Sequence, residues 1–128
     1  MSIFKRLFSS REPSKEIDFD WVPLNDLQQL DEIITHSYEK TIVIFKHSTR
    51  CSISRFVLKR FEDDFYFPKE KIEPFYLDLL VHRDISNEIA RKFGVEHQSP
   101  QILTIKNGKA IYSTSHENIN AGILERFI

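Results

Sequence analysis

The chain contains a single thiol, Cys51, within the stretch Ile44–Arg55, IFKHSTRCSISR. A thiolate is a strong nucleophile toward disulfides, and helix starts and neighbouring cations favour it over the thiol. Both settings are expected at Cys51. An apolar run precedes it, a helical pattern follows it, and Lys46, Arg50 and Arg55 stand close in sequence. His47 adds a further charge when protonated, or relays a proton near neutral pH. Ser54, three residues beyond the cysteine, can turn its hydroxyl toward the sulfur, while Thr49 and Ser52 complete a polar turn. The competing reading is a small buried hydrophobe, the commoner fate of a free cysteine. The polar neighbours Thr49, Arg50 and Ser52 speak against burial.

One cysteine allows neither an internal disulfide nor a cysteine-based zinc site, so a disulfide-stapled secreted domain is excluded. The histidines at 36, 47, 82, 97 and 116 are scattered without paired ligand spacing, and no metal site is expected. Eighteen basic against nineteen acidic residues leave a formal charge of -1, so no global field draws nucleic acid or an anionic membrane surface. No apolar run is long enough to cross a bilayer and no signal-peptide core is present, which makes a cytoplasmic protein the expectation.

The elements that must position Cys51 follow from pattern. Residues 1–18 read as a leader and linker, with Ile3, Phe4, Leu7 and Phe8 on one face of a short amphipathic stretch and SSREPSKE after it. One folded domain is expected over 19–128. Trp21 and Val22 suit a short strand that Pro23 marks as an edge. Asn25 or Asp26 caps a helix carrying Leu27, Leu30, Ile33 and Ile34. TIVIFK, from Thr41, is β-branched and almost wholly apolar, as a strand covered on both faces reads. Ser52 to about Phe65 is a helix with Ile53, Phe56, Val57, Phe61 and Phe65 on its buried side. KIEPFYLDLLV is a strand interrupted early by Pro74, and RDISNEIARKF is a helix closed by Gly94. Asn107-Gly108 joins two β-rich runs as a hairpin. SHENINAGILERFI ends the chain as a helix burying Ile119, Ile123, Leu124 and Phe127.

Alternating strands and helices imply parallel pairing with right-handed crossovers, and the hairpin adds antiparallel strands. The expected fold is α/β, a mixed four- or five-stranded sheet with helices on both faces. Sites in such folds lie at the carboxyl ends of the strands, where Cys51 falls. Ser99-Pro100 precedes the strand QILTI, and an isolated Ser-Pro gives no reason to expect a cis bond.

This order of elements, the cysteine at the strand-to-helix turn and the Ser-Pro before the hairpin resemble the thioredoxin superfamily. More narrowly, FKHSTRCSIS followed by VEHQSPQILTIKNGKAIYSTSHENI resembles the YtxJ-like family of monothiol bacilliredoxins, over about Trp21 to Ile128. The resemblance implies a thiol-disulfide oxidoreductase that removes bacillithiol from client proteins. Cys51 matches the reactive cysteine, Ser54 the place of a second cysteine in dithiol relatives, and Ser99-Pro100 the cis-proline site. It implies no tightly bound cofactor, with bacillithiol as co-substrate and bacillithiolated proteins as partners. The family motif usually reads Thr-Cys-Pro-Ile-Ser, whereas this chain has Arg50 and Ser52 in place of the Thr and the Pro. The topology brings the start of the last helix to the same end of the sheet as Cys51. Ser115 and His116 at that start, with Arg50 or Arg83, are expected either to hold the carboxylates of the bacillithiol malate unit or, in the blander reading, only to cap the helix (Ser115) and face solvent (His116). The client backbone is expected along Ser99-Pro100, with His47 and Thr49 lining the groove. Two other readings stay open. One is a thioredoxin-fold binding module or redox-sensing adaptor whose cysteine is capped without turnover. The other is a structural protein with an inert thiol.

Overall fold

The computed structural model describes residues 19–128. The leader expected over 1–18, with its amphipathic stretch and linker, lies outside the described residues. The elements are β1 (Val22–Pro23), α1 (Gln29–His36), β2 (Thr41–His47), α2 (Ser52–Asp64), β3 (Ile72–Asp78), α3 (Arg83–Phe93), β4 (Gln101–Lys106) and β5 (Lys109–Ser115). Two 3-10 segments, His116–Asn118 and Ala121–Phe127, follow. The strands form one mixed sheet in the order β1-β3-β2-β4-β5. β1 and β2 run parallel to β3, and β4 runs antiparallel to β2 and β5. β2 is thus central, and every one of its seven residues is buried, as its apolar run requires.

Alternate residues of β2 serve two cores. Ile42 and Ile44 face Leu30 and Ile33 of α1 and Ile85 and Ile89 of α3. Val43 and Phe45 face Val57 and Phe61 of α2, together with Ile119, Ala121 and Leu124 from the chain end. Asn107 and Gly108 take positive φ (53° and 79°), the turn a two-residue hairpin needs. Gly94 closes α3 in the left-handed region at φ 66°. β3 runs through Pro74. The two-residue β1 pairs only from Phe75 onward, so the missing proline N–H interrupts no β1 ladder.

Three local expectations are corrected. α1 begins at Gln29, because Asn25 to Gln28 form a turn: Asp26 Oδ1 accepts the Gln28 N–H (2.8 Å), and Gln29 Oε1 accepts those of Asn25 and Asp26. Leu27 is therefore exposed. On α2 the buried face carries Ser54, Val57 and Phe61, whereas Ile53 and Phe56 are 47% and 63% exposed. The chain end is not an α-helix. Ile119 and Asn120 are extended, and the Asn120 side chain accepts the Gly122 N–H (2.8 Å). Asn and Gly disfavour helix interiors, the first by bonding nearby backbone and the second by its entropy. Arg60 of α2 secures the break by donating to the Glu117 and Ile119 carbonyls (2.8 and 2.9 Å).

Candidate thiol active site

The chain leaves β2 at His47, turns through Ser48–Arg50 and enters α2 at Ser52. The Cys51 N–H closes the turn onto the Ser48 carbonyl (3.1 Å). Cys51 is the N-cap residue, extended at φ −102° and ψ 122°, and its carbonyl accepts the first helical bond from the Arg55 N–H (3.1 Å). No side chain caps this helix start, and the thiol is half-buried. The sulfur therefore stands beside backbone N–H groups without intrahelical partners, at the positive end of the helix dipole.

Ser54 behaves differently from expectation. It is fully buried, and its hydroxyl accepts the Ser48 N–H (3.1 Å) and meets His47 Nδ1 (2.8 Å). It is thus committed to the turn beneath the cysteine and makes no hydrogen bond to the sulfur. The Ser54 hydroxyl thus makes two hydrogen bonds, accepting from the turn and pairing with the ring nitrogen. His47 is buried against Phe45 and Tyr76. Burial lowers its pKa from the ordinary 6.5; the Asp78 carboxylate opposes that and Arg55 reinforces it. The lowered pKa favours the neutral ring, so His47 does not supply the added positive charge it would carry when protonated.

Thr49, Arg50 and Ser52 form the exposed rim, and the Thr49 carbonyl accepts from Arg55 Nη1 (3.2 Å). Ser99-Pro100 is cis. Register places it at the same end of the sheet as the cysteine turn: Lys46 pairs with Gln101, and Gln101 with Ser115. The Pro100 carbonyl accepts the His116 N–H (2.9 Å). Pro100 is buried, and the Ser99 hydroxyl is enclosed without a hydrogen-bond partner. Ser115 is half-buried and His116 is exposed with φ 56°. They open a three-residue 3-10 turn, so the helix N-terminus expected there for an anion does not exist. No hydrogen bond or ion pair among the described residues joins Arg50 or Arg83 to them.

Lys46, expected among the cations beside the cysteine, lies on the opposite face of the sheet. It is fully buried, and its Nζ lies 3.3 Å from Nδ1 of His97, on the α3 side. His97 and Ser86 carried no signal as site neighbours in the sequence, and the carboxylates Asp78 and Glu62, of a kind that could tune a thiol site, had nothing in the sequence to place them near Cys51. Asp78, His97 and Ser86 are each brought in by a separate element, and Asp78 reaches His47 only through β2–β3 register. Glu62, a carboxylate that could have tuned the site, instead accepts from Trp21 Nε1 (2.7 Å).

A sole thiol at the strand-to-helix turn, with a cis-proline at the same sheet end, defines a thiol-redox protein of thioredoxin fold. The profile described as "Monothiol bacilliredoxin BrxC" matches residues 22–124, and the chain belongs to that family. A solved structure described as a candidate oxidoreductase with a thioredoxin fold is 30% identical, with a TM-score of 0.70 over 82% of this chain and 90% of that one. Thioredoxin from Malassezia sympodialis is 19% identical, with a TM-score of 0.63 over 84% and 86% of the two chains. Thioredoxin from Fasciola hepatica is 21% identical, with a TM-score of 0.58 over 82% and 93%. These two share the fold. Among the described residues, no helix is long and apolar enough to cross a membrane.

Proposed function

We propose that this protein removes bacillithiol from mixed disulfides on client proteins. The observation that carries the reading is the half-buried Cys51 at an uncapped helix start, in a chain with no second cysteine. The Cys51 thiolate attacks the bacillithiol sulfur of the mixed disulfide. A new bond joins Cys51 to bacillithiol, the old disulfide breaks, and the client leaves as a thiolate. A second bacillithiol thiolate then attacks the bound bacillithiol sulfur, giving bacillithiol disulfide and restoring Cys51. Ser54 sits where a resolving cysteine would cut this sequence short, and it holds His47 and the turn instead. The client backbone lies along Ser99-Pro100, with Thr49, Arg50 and Ser52 at the rim.

The test is turnover of a bacillithiolated protein with bacillithiol as the only reductant. The wild type releases the client thiol catalytically, and Cys51→Ser releases none. If the wild type becomes capped by bacillithiol, as a mass increase on Cys51, yet does not turn over, the adaptor reading replaces the reductase.

A further inference from the structure

Lys46 is an unusual residue for the middle of a sheet. Its side chain is fully buried, it has no carboxylate within ion-pair distance among the described residues, and its single hydrogen-bond partner is His97 Nδ1 at 3.3 Å. An ammonium has three donors, and burying one with so little compensation is unfavourable for folding. Burial pulls its pKa from 10.5 to about 8. His97 is also held by the buried Ser86 of α3, whose hydroxyl lies 3.2 Å from the same nitrogen.

The loop that carries His97 is the one that leads into Ser99-Pro100. Gln101, the register partner of Lys46, grips the same loop: its Nε2 donates to the Glu96 carbonyl (3.0 Å) and its Oε1 accepts the Gln98 N–H (3.3 Å). Two neighbouring side chains of the sheet therefore hold residues 96–98 from below. Pro100 follows three residues after His97, and its carbonyl is tied to His116.

We infer that Lys46 is a positioning residue for the Cys51 reaction: through His97 it fixes the loop that presents the Ser99-Pro100 backbone to a peptide client. Resting on Cys51 as the reactive thiol and on a client backbone along this loop, the inference predicts selectivity. A disulfide carried on a peptide needs the held loop, whereas a small disulfide needs only the sulfur.

The experiment uses two probes that require no bacillithiol. One is an unstructured decapeptide with a single cysteine activated as its 5-thio-2-nitrobenzoate mixed disulfide. The other is 5,5′-dithiobis(2-nitrobenzoate). With the peptide, the Cys51 thiolate attacks the peptide's cysteine sulfur, and with the small disulfide either equivalent sulfur; a new Cys51 disulfide forms, the old one breaks, and the thionitrobenzoate anion leaves and is read by its colour. In Lys46→Met and His97→Ala the half-saturating peptide concentration should rise about tenfold, the equivalent of one hydrogen bond to a charged group. The saturated rate should hold, and the rate with the small disulfide should stay within about twofold of wild type. His97→Asn, whose side-chain oxygen can stand in for Nδ1, should restore most of the peptide response. Equal slowing on both probes, or no change with the peptide, overturns the inference. Failure of bacillithiol turnover alone leaves this result readable, so the two readings fail separately.

Discussion

Lys46 and His47 are neighbours in one strand, both polar and both buried, yet the two faces of the sheet treat them differently. His47 faces α2 and finds Ser54, seven residues away, in a neutral hydrogen bond. Lys46 faces α3 and, among the described residues, finds only His97, fifty-one residues away. Nearby pairing makes the cysteine face locally self-sufficient, because turn, serine and histidine come from one continuous stretch. The lysine face depends on a loop brought back by α3 and β4. The comparison teaches that a single strand end supports the site twice, once beneath the nucleophile and once beneath the cis-proline loop.

The packing of each face sets the largest expected effect. Phe61 anchors the C-terminal half of α2 to the sheet, with Trp21 stacked at 5.7 Å and Phe45 edge-on at 5.4 Å. Phe61→Ala should destabilise by about 3–5 kcal/mol in urea unfolding. A much smaller loss would mean that α2 is not held from this face.

The polar pair should then respond asymmetrically. His47→Ala leaves a buried serine without its partner and should cost about 1–3 kcal/mol. Lys46→Met keeps the stem, removes an uncompensated ammonium and should be neutral or stabilising. A large loss in Lys46→Met would make the lysine a structural brace and would erase the contrast.

Titration sharpens the same comparison. The folded-state pKa of Lys46 lies below its unfolded value, so the unfolded chain binds the extra proton between about 8 and 10.5. Its burial penalty is present in full below about pH 8 and is relieved as pH rises through that window. His47 also has a lowered pKa, so its unfavourable term begins as pH falls below 6.5. Unfolding free energies measured across pH should show an alkaline gain that Lys46→Met lacks and an acid loss that His47→Gln reduces. An identical pH curve for wild type and Lys46→Met would remove the buried cation from the account.

The smallest effect is expected on the outer side of α2. Phe56→Ser should change stability by no more than about 0.5 kcal/mol, since that ring is 63% exposed. A loss above 1 kcal/mol in the same urea titration, about twice that bound, would place Phe56 in the packing after all.

Much of the fold was legible because its signals are local. The apolar run Ile42–Phe45 in β2, the Asn-Gly hairpin and Gly94 each carry their conformation in adjacent residues. The face of α2 was misread because Ile53 and Phe56 looked like core at helical spacing, while Ser54 took the inward position beneath the turn. The terminal helix was misread because its apolar spacing is helical, whereas Asn118, Asn120 and Gly122 break it and Arg60 bonds the break from another element.

The strand-to-helix turn, the place of the sole thiol on it and the lack of a second cysteine in these 128 residues were readable from the residues alone. These depend on residue type, periodicity and chain order. Only the tertiary structure decided that Ser54 bonds His47 and the turn, that Asp78 lies near that histidine, and that Lys46 turns away from the cysteine toward His97. A side chain's partner depends on strand register and on which layer covers each face, and elements far apart in the chain set both.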